Sequence, residues 1–316
     1  MTEKEPITLT GVISAAMKIP GVRVDRDAFL REQFKAEDPV AANGIVAAGP
    51  VAAGCDRDKL RRKAEGVILG TTLKSTGASF LVGLPGGLAM AVTIPTDILQ
   101  FYAMALKMAQ EIAYLYGAED LWKGGASEDG EATDRLILLL GVMLGVTGAA
   151  PAVRLMTSSL TQQTAKRLAP RPLTGNFHYP IVRSVLRFFA KTITKTSLAK
   201  GVSKAIPVIG GLVSGGITFV SLRPMGERLQ QTLDRAHFSY SDADILNDIR
   251  EVEEEAARVE AEDGAAEPEE IPEEAPAKSS PAIDYDGIRK AKALLDEGII
   301  DEKEFAAIKA RIISGK

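Results

Sequence analysis

The chain has 316 residues, of which 46% are apolar, 5% aromatic and 25% charged, with 29 glycines, two histidines and one cysteine. So large an apolar share can offset chain entropy, which excludes a protein disordered over most of its length. One cysteine excludes a disulfide framework, and Cys55, His178 and His237 together do not make the ligand set of a metal site. Residues 1–19 lack a basic start followed by an apolar run, so a cytoplasmic protein is expected. The net charge of −4 conceals a strong polarity: residues 1–240 carry 28 basic and 20 acidic groups, whereas 241–276 carry two and 15. Between Asp134 and Glu227, more than 90 residues pass without a carboxylate while Lys and Arg occur 12 times. An ordinary solvated surface mixes both signs. Either the acidic stretch folds back onto this block, or the block faces a polyanion such as a phospholipid surface or nucleic acid.

In chain order, four uncharged stretches come first, at 39–55, 75–96, 136–153 and 205–222, rich in Ala, Gly, Val, Leu and Ile. The last two reach 18 residues, the lower edge of what crosses a bilayer about 30 Å thick at about 1.5 Å per residue. Pro151 and Pro207 lie inside them and no aromatic belt flanks them, which weighs against spanning. Buried bundle helices, shallow insertion and true spanning stay open at this point. In 136–153 the spacing of Gly141, Gly145 and Gly148 puts three glycines on one helical face, where another backbone could approach.

The run TDILQFYAMALKMAQEIAYLYG (96–117) has apolar residues at helical spacing, Thr96 as N-cap and Gly117 as the left-handed stop. Asp97, Gln100, Lys107, Glu111 and Tyr114 fall on its other side. They form a solvated face or an interhelical polar network, or else Asp97, Gln100 and Glu111 line a pocket between helices in an enzyme or carrier acting on a lipid or another hydrophobic molecule. From Tyr179 the cations Arg183, Arg187, Lys191 and Lys195 recur every four residues, followed by Lys200 and Lys204. On a helix they make one slowly winding stripe, largely clear of Val182, Val185, Leu186, Phe189 and Ile193. Such a basic amphipathic helix suits an anionic membrane or an acidic partner, and a solvent-facing bundle helix is the plain alternative.

Residues 250–282 are mostly Glu, Ala and Pro, a pattern that continues a helix to about Glu262 and then becomes a charged tether. The sequence IRKAKALLDEGIIDEKEFAAIKARII (288–313) reads as a helical hairpin, with Gly298 ending one helix and Asp301 with Glu304 opening the next. About thirty residues bury too little surface to be stable alone, so this hairpin is expected to self-associate or dock. No period-2 alternation appears, and the expected fold class is all-α: a bundle over 1–245, an acidic linker over 246–283 and the hairpin over 284–316. No GxSxG, GxxxxGK[ST] or HExxH occurs. No catalytic residue, metal or cofactor is therefore assigned.

Two resemblances add to this reading. The segments 74–117 and 203–233, with the GLPGG turn, Asp97, the YLYG ending and the PVIGG run, resemble the EcsC protein family over roughly residues 20–240. The family is named from a protein encoded beside an ABC transporter. The resemblance implies a bacterial, membrane-associated helical protein and no particular reaction. LLDEGIIDEKEF (294–305) is similar to the short C-terminal domains of the SHOCT family, which implies oligomerisation or tethering through 284–313. Together these readings give a non-enzymatic protein held peripherally at the inner membrane. Arg183, Arg187, Lys191, Lys195, Lys200 and Lys204 would meet lipid headgroups, and the partners would be anionic lipids, further copies of the chain, and a membrane protein such as an ABC transporter. Nucleic acid ranks last, because few aromatics interleave with the cations.

Overall fold

The computed structural model describes residues 7–74, 94, 96–122, 129–158, 177–198 and 215–265, without the side chains of 74, 96, 97, 129, 193–198, 215–221 and 263–265. Among the described residues every regular element is a helix: α1 (Leu9–Met17), α2 (Arg26–Gln33), α3 (Pro39–Ala48), α4 (Arg57–Lys74) and α5 (Thr96–Leu115) come first. They are followed by α6 (Asp129–Leu144), α7 (Ala149–Thr157), α8 (Tyr179–Leu198), α9 (Gly215–Phe238) and α10 (Asp242–Ala265). The chain is all-α, as its periodicity predicts. It divides into two units, Met1–Ala261 and Glu262–Lys316. The 75–93 stretch with its GLPGG turn, and the 284–313 hairpin, lie outside the described residues.

The short helices begin where the sequence supplies caps. The side chains of Thr8, Asp25, Asp38 and Asp56 accept from the backbone N–H of Gly11, Ala28, Val40 and Lys59, each satisfying a donor the first turn leaves orphaned. Pro39 then occupies the first position of α3, where its missing N–H costs nothing.

Helix α5 is the centre of the bundle, touching α1, α2, α4, α6 and α9. Between Phe101 and Tyr116 all its side chains are buried except Lys107 and Glu111, which pair with each other at 2.7 Å. A helix apolar on nearly every face can exist only under cover from its neighbours. Tyr114, on the side read as a solvated face or an interhelical polar network, is fully buried, and its hydroxyl accepts from the Leu121 N–H. Gln110, also fully buried, is satisfied throughout: its Oε1 accepts from Val24 N–H and the Trp122 indole, and its Nε2 donates to the Val22 and Leu106 carbonyls. The helix stops as expected at Gly117 (φ +90°), with Ala118 N–H bonded to Ala113 O and Gly117 N–H to Tyr114 O.

The uncharged stretch 136–153 is not one helix, and its three glycines are not one ridge. Helix α6 ends at Leu144, closed by Gly145 (φ +75°) with the same pair of backbone bonds, and Gly148 (φ +77°) turns the chain into α7. Both need the left-handed backbone that glycine adopts without strain. Gly141 is a packing glycine within α6, where a Cβ would lie 2.5 Å from Val185 Cγ2 of α8, and Gly148 is crowded as well as turned, a Cβ there lying 2.9 Å from Ile181 Cδ1. No helix among the described residues is long and apolar enough to cross a membrane. Gly210 and Gly211 lie outside the described residues.

Two buried carboxylates hold late helices to earlier ones. Asp234 of α9 receives both side-on N–H groups of Arg57 and of Arg61 from α4, at 2.6–3.1 Å. Burial alone would raise this carboxyl, but the hydrogen bonds and charges of Arg57 and Arg61 outweigh it and hold the group below its ordinary 3.8. Asp248 of α10 takes Nε and Nη2 of Arg154 from α7, each at 2.7 Å, and the Tyr240 hydroxyl at 2.6 Å. The acidic helix α10 is thus packed rather than tethered as far as Val259, burying Ile245, Ile249, Val252, Glu255 and Val259. Part of the range assigned from charge to a linker, 246–259, therefore belongs to the body of the bundle.

Gly141→Ala should destabilise by about 1–2 kcal/mol, because crowding against Val185 outweighs the helix-propensity gain. Gly66→Ala in α4, where nothing lies within 4 Å, should stabilise by about 0.5–1 kcal/mol; thermal denaturation of the two variants checks the opposite signs. Arg57→Gln with Arg61→Gln strands a buried carboxylate and should cost about 3–5 kcal/mol. Asp234→Asn should cost only about 1–3 kcal/mol, since guanidiniums that remain about a third exposed can turn to water. The Asp234 contribution is complete above the ordinary carboxyl value of 3.8 and is lost as pH falls through the lower folded value. Urea midpoints across an acid series should therefore converge for wild type and Asp234→Asn.

Candidate functional site

Helix α8 turns its apolar side inward, burying Ile181, Val182, Val185 and Phe189. Phe189 meets Tyr102 of α5 edge-on, with ring centroids 5.4 Å apart. The opposite side carries Arg183 and Lys191, both exposed, while Arg187 between them is half-buried and donates from Nη1 to the Val259 carbonyl at 3.2 Å. Lys195 continues the helix but its side chain is not described, and Lys200 and Lys204 lie outside the described residues. Three of the six expected headgroup ligands are thus placed on one helix, two of them outward. Acidic α10 lies alongside: Glu255 accepts from Ser184 Oγ of α8 and from Arg258 of its own helix, each at 2.6 Å. Its packing there crowds Gly148, where a Cβ would lie 3.1 Å from Glu255 Cγ. The acid-free block therefore does receive carboxylates from beyond it, Asp248 on Arg154 and Glu255 on Ser184, on the inner side of the α7–α8 pair.

A second feature lies at the end of α5. The tight stop at Gly117 turns the chain across the mouths of α6, α7 and α9, leaving a cavity of about 380 Å³. Its walls are Ala113, Leu138, Leu139, Val153 and Leu233, with Tyr116, Arg135 and His237 as polar members and Met156 and Glu119 on the exposed side. The volume and the mix of apolar wall with a few polar groups suit a small ligand. His237 stacks on Tyr116 (centroids 6.4 Å, interplanar angle 14°), and burial lowers its pKa below the ordinary 6.5, so the ring is neutral at pH 7. Burial pushes the Tyr116 phenol above its ordinary range. A more polar cavity of about 710 Å³ adjoins it, lined by Arg26, Asp120 and Glu131, and shares Gly117, Glu119, Leu121 and Arg135. Arg26 is committed to structure there, donating to Val46 O at the end of α3 and to Ala118 O past the end of α5.

Among the described residues two buried side-chain polar atoms lack a hydrogen-bond partner, Tyr116 Oη and Arg135 Nε, and both residues line the smaller cavity. Gln230 lies within reach of the Tyr116 hydroxyl and favours its ionised form, against burial. Neither cavity is lined by Gln100 or Glu111, the described members of the expected pocket, and the Asp97 side chain is not described. Glu111 instead pairs with Lys107. The cavity residues escaped sequence reasoning because they come from four helices far apart in the chain. One signal was present: Arg135 is the lone cation heading the apolar run LILLLGVML. Cys55 is half-buried with its thiol pKa raised by burial, which leaves it unreactive. No group of three or more His, Cys, Asp or Glu among the described residues is arranged to hold a metal ion.

Compared with protein-family models, with curated proteins and with solved structures, the chain gives no match.

Proposed function

We propose that this chain is a non-enzymatic, membrane-associated bacterial protein of the EcsC type, attached peripherally to anionic lipid by the cationic side of α8. The observation that carries the reading is the exposure of Arg183 and Lys191 on a helix whose apolar side is spent in the core. A helix so placed can meet a membrane with its charges but not by burying its apolar face, which favours headgroup attraction over insertion. Each surface cation near an anionic leaflet contributes about 1 kcal/mol, so the stripe as a whole suffices for reversible attachment, screened at high salt. In this reading Lys195, Lys200 and Lys204 extend the stripe. The 284–313 hairpin joins copies of the chain or tethers it, in the neighbourhood of a membrane protein such as an ABC transporter.

Replacing Arg183, Arg187, Lys191, Lys195, Lys200 and Lys204 by glutamine should abolish sedimentation of the full chain with phosphatidylglycerol-containing vesicles in low salt, with the melting profile kept as a folding control. Undiminished sedimentation overturns the assignment. Displacement of the wild type by equimolar DNA phosphate would place the stripe on nucleic acid instead. Removal of 284–316 should lower the mass measured by light scattering to that of one chain; an unchanged multimer would remove the hairpin as the joining element.

A further inference from the structure

Arginines of this fold meet carboxylates through a closed pair of donors or, as Arg26, Arg223, Arg235 and Arg258 do, through a single one, and Arg135 is a single-donor case whose second donor is buried without a partner. Arg57, Arg61 and Arg154 each close the side-on pair of donors, Nε and Nη2, on a buried aspartate. Arg135 has the same pair but only half of it is used: Nη2 donates to Glu131 Oε1 at 2.7 Å, and Nε is buried with no partner. A buried donor left unbonded is costly, whereas the Glu131 contact is an exposed pair one helical turn away, of a kind that contributes little. A carboxylate brought by a ligand would satisfy both donors at once, and two parallel charge-assisted bonds are the strongest arrangement arginine offers. Beside this half-open fork stand the apolar walls Leu138, Leu139, Val153 and Leu233, together with Tyr116, whose hydroxyl is also unpartnered.

We propose that the cavity at the end of α5 binds a single-chain carboxylate amphiphile of the fatty-acid class, its head on Arg135 and its chain between α6, α7 and α9. The exposed acids Glu119 and Glu131 can turn to water, so the buried Nε decides the sign of the local attraction. The half-buried His237, neutral at pH 7, adds no competing charge. This site is separate from the cationic side of α8 and does not rest on the membrane reading.

Titration of the full chain with decanoate, decanol and acetate, each below its aggregation limit, tests the assignment. Decanoate should bind saturably at one site per chain, and decanol and acetate at least about tenfold more weakly, since one lacks the charge and the other the apolar body. Arg135→Gln should weaken decanoate at least about tenfold, whereas Glu131→Gln, which frees Nη2, should tighten it. Met156→Trp at the exposed edge should obstruct entry without touching the core. The glutamine variant of the α8 cations should bind decanoate as wild type does. Equal affinity for decanol, indifference to Arg135→Gln in a variant that melts normally, or no saturable binding overturns the proposal.

Discussion

A helix that is apolar around nearly its whole circumference can persist in water only if other helices cover it, and α5 imposes that demand on this protein. The cover is assembled from α1, α2, α4, α6 and α9, helices drawn from both ends of the described chain. Such cover has to be held in register, and here the registering contacts are polar: Gln110 fastening the Val22–Val24 turn and Trp122 to the centre, and Asp234 fastening α9 to α4. Each satisfies a buried group completely, which is the condition under which a buried polar contact orders a core rather than weakening it. Stopping α5 sharply at Gly117 leaves the amphipathic cavity where the ends of α5, α7 and α9 meet the middle of α6.

The charge polarity of the chain acquires a physical meaning in the fold. The acid-free block contributes α7 and α8, and acids from α10 reach it from the inner side through Asp248 and Glu255. Internal neutralisation and an external polyanion were competing accounts of that block, and the fold shows carboxylates of α10 reaching its inner side. Arg154 pairs with Asp248 on the inner side, and Arg183 and Lys191 lie on the exposed side of α8. This division is what the membrane proposal builds on.

Much of the fold was legible in the sequence where one residue type has one mechanical use. The helical spacing of 96–115, the stop at Gly117 and the basic side of α8 follow directly from periodicity and from the left-handed backbone that glycine permits. Legibility failed where a residue serves two ends. Glycines four and three apart fit a packing ridge or a pair of turns, and only tertiary context makes Gly145 and Gly148 turns and Gly141 a contact. Tyr114 lies at a polar position of the α5 pattern but has an aromatic body to bury. Acid density disguised the packed side of α10, because Ile245, Ile249, Val252 and Val259 are sparse among glutamates. Of the cavity only Arg135, heading an apolar run, left a signal, since the other members are brought together by helix packing and share no local pattern.

Attachment by outward cations, with the apolar side of α8 kept in the core, is the central claim, and fractionation of cells expressing the full chain tests it most directly. The account predicts that the protein sediments with inner membranes in low salt and is released by a high-salt wash before any detergent is added. Release by detergent alone would contradict it, because apolar insertion would then be holding the protein, and so would complete recovery in the soluble fraction at low salt.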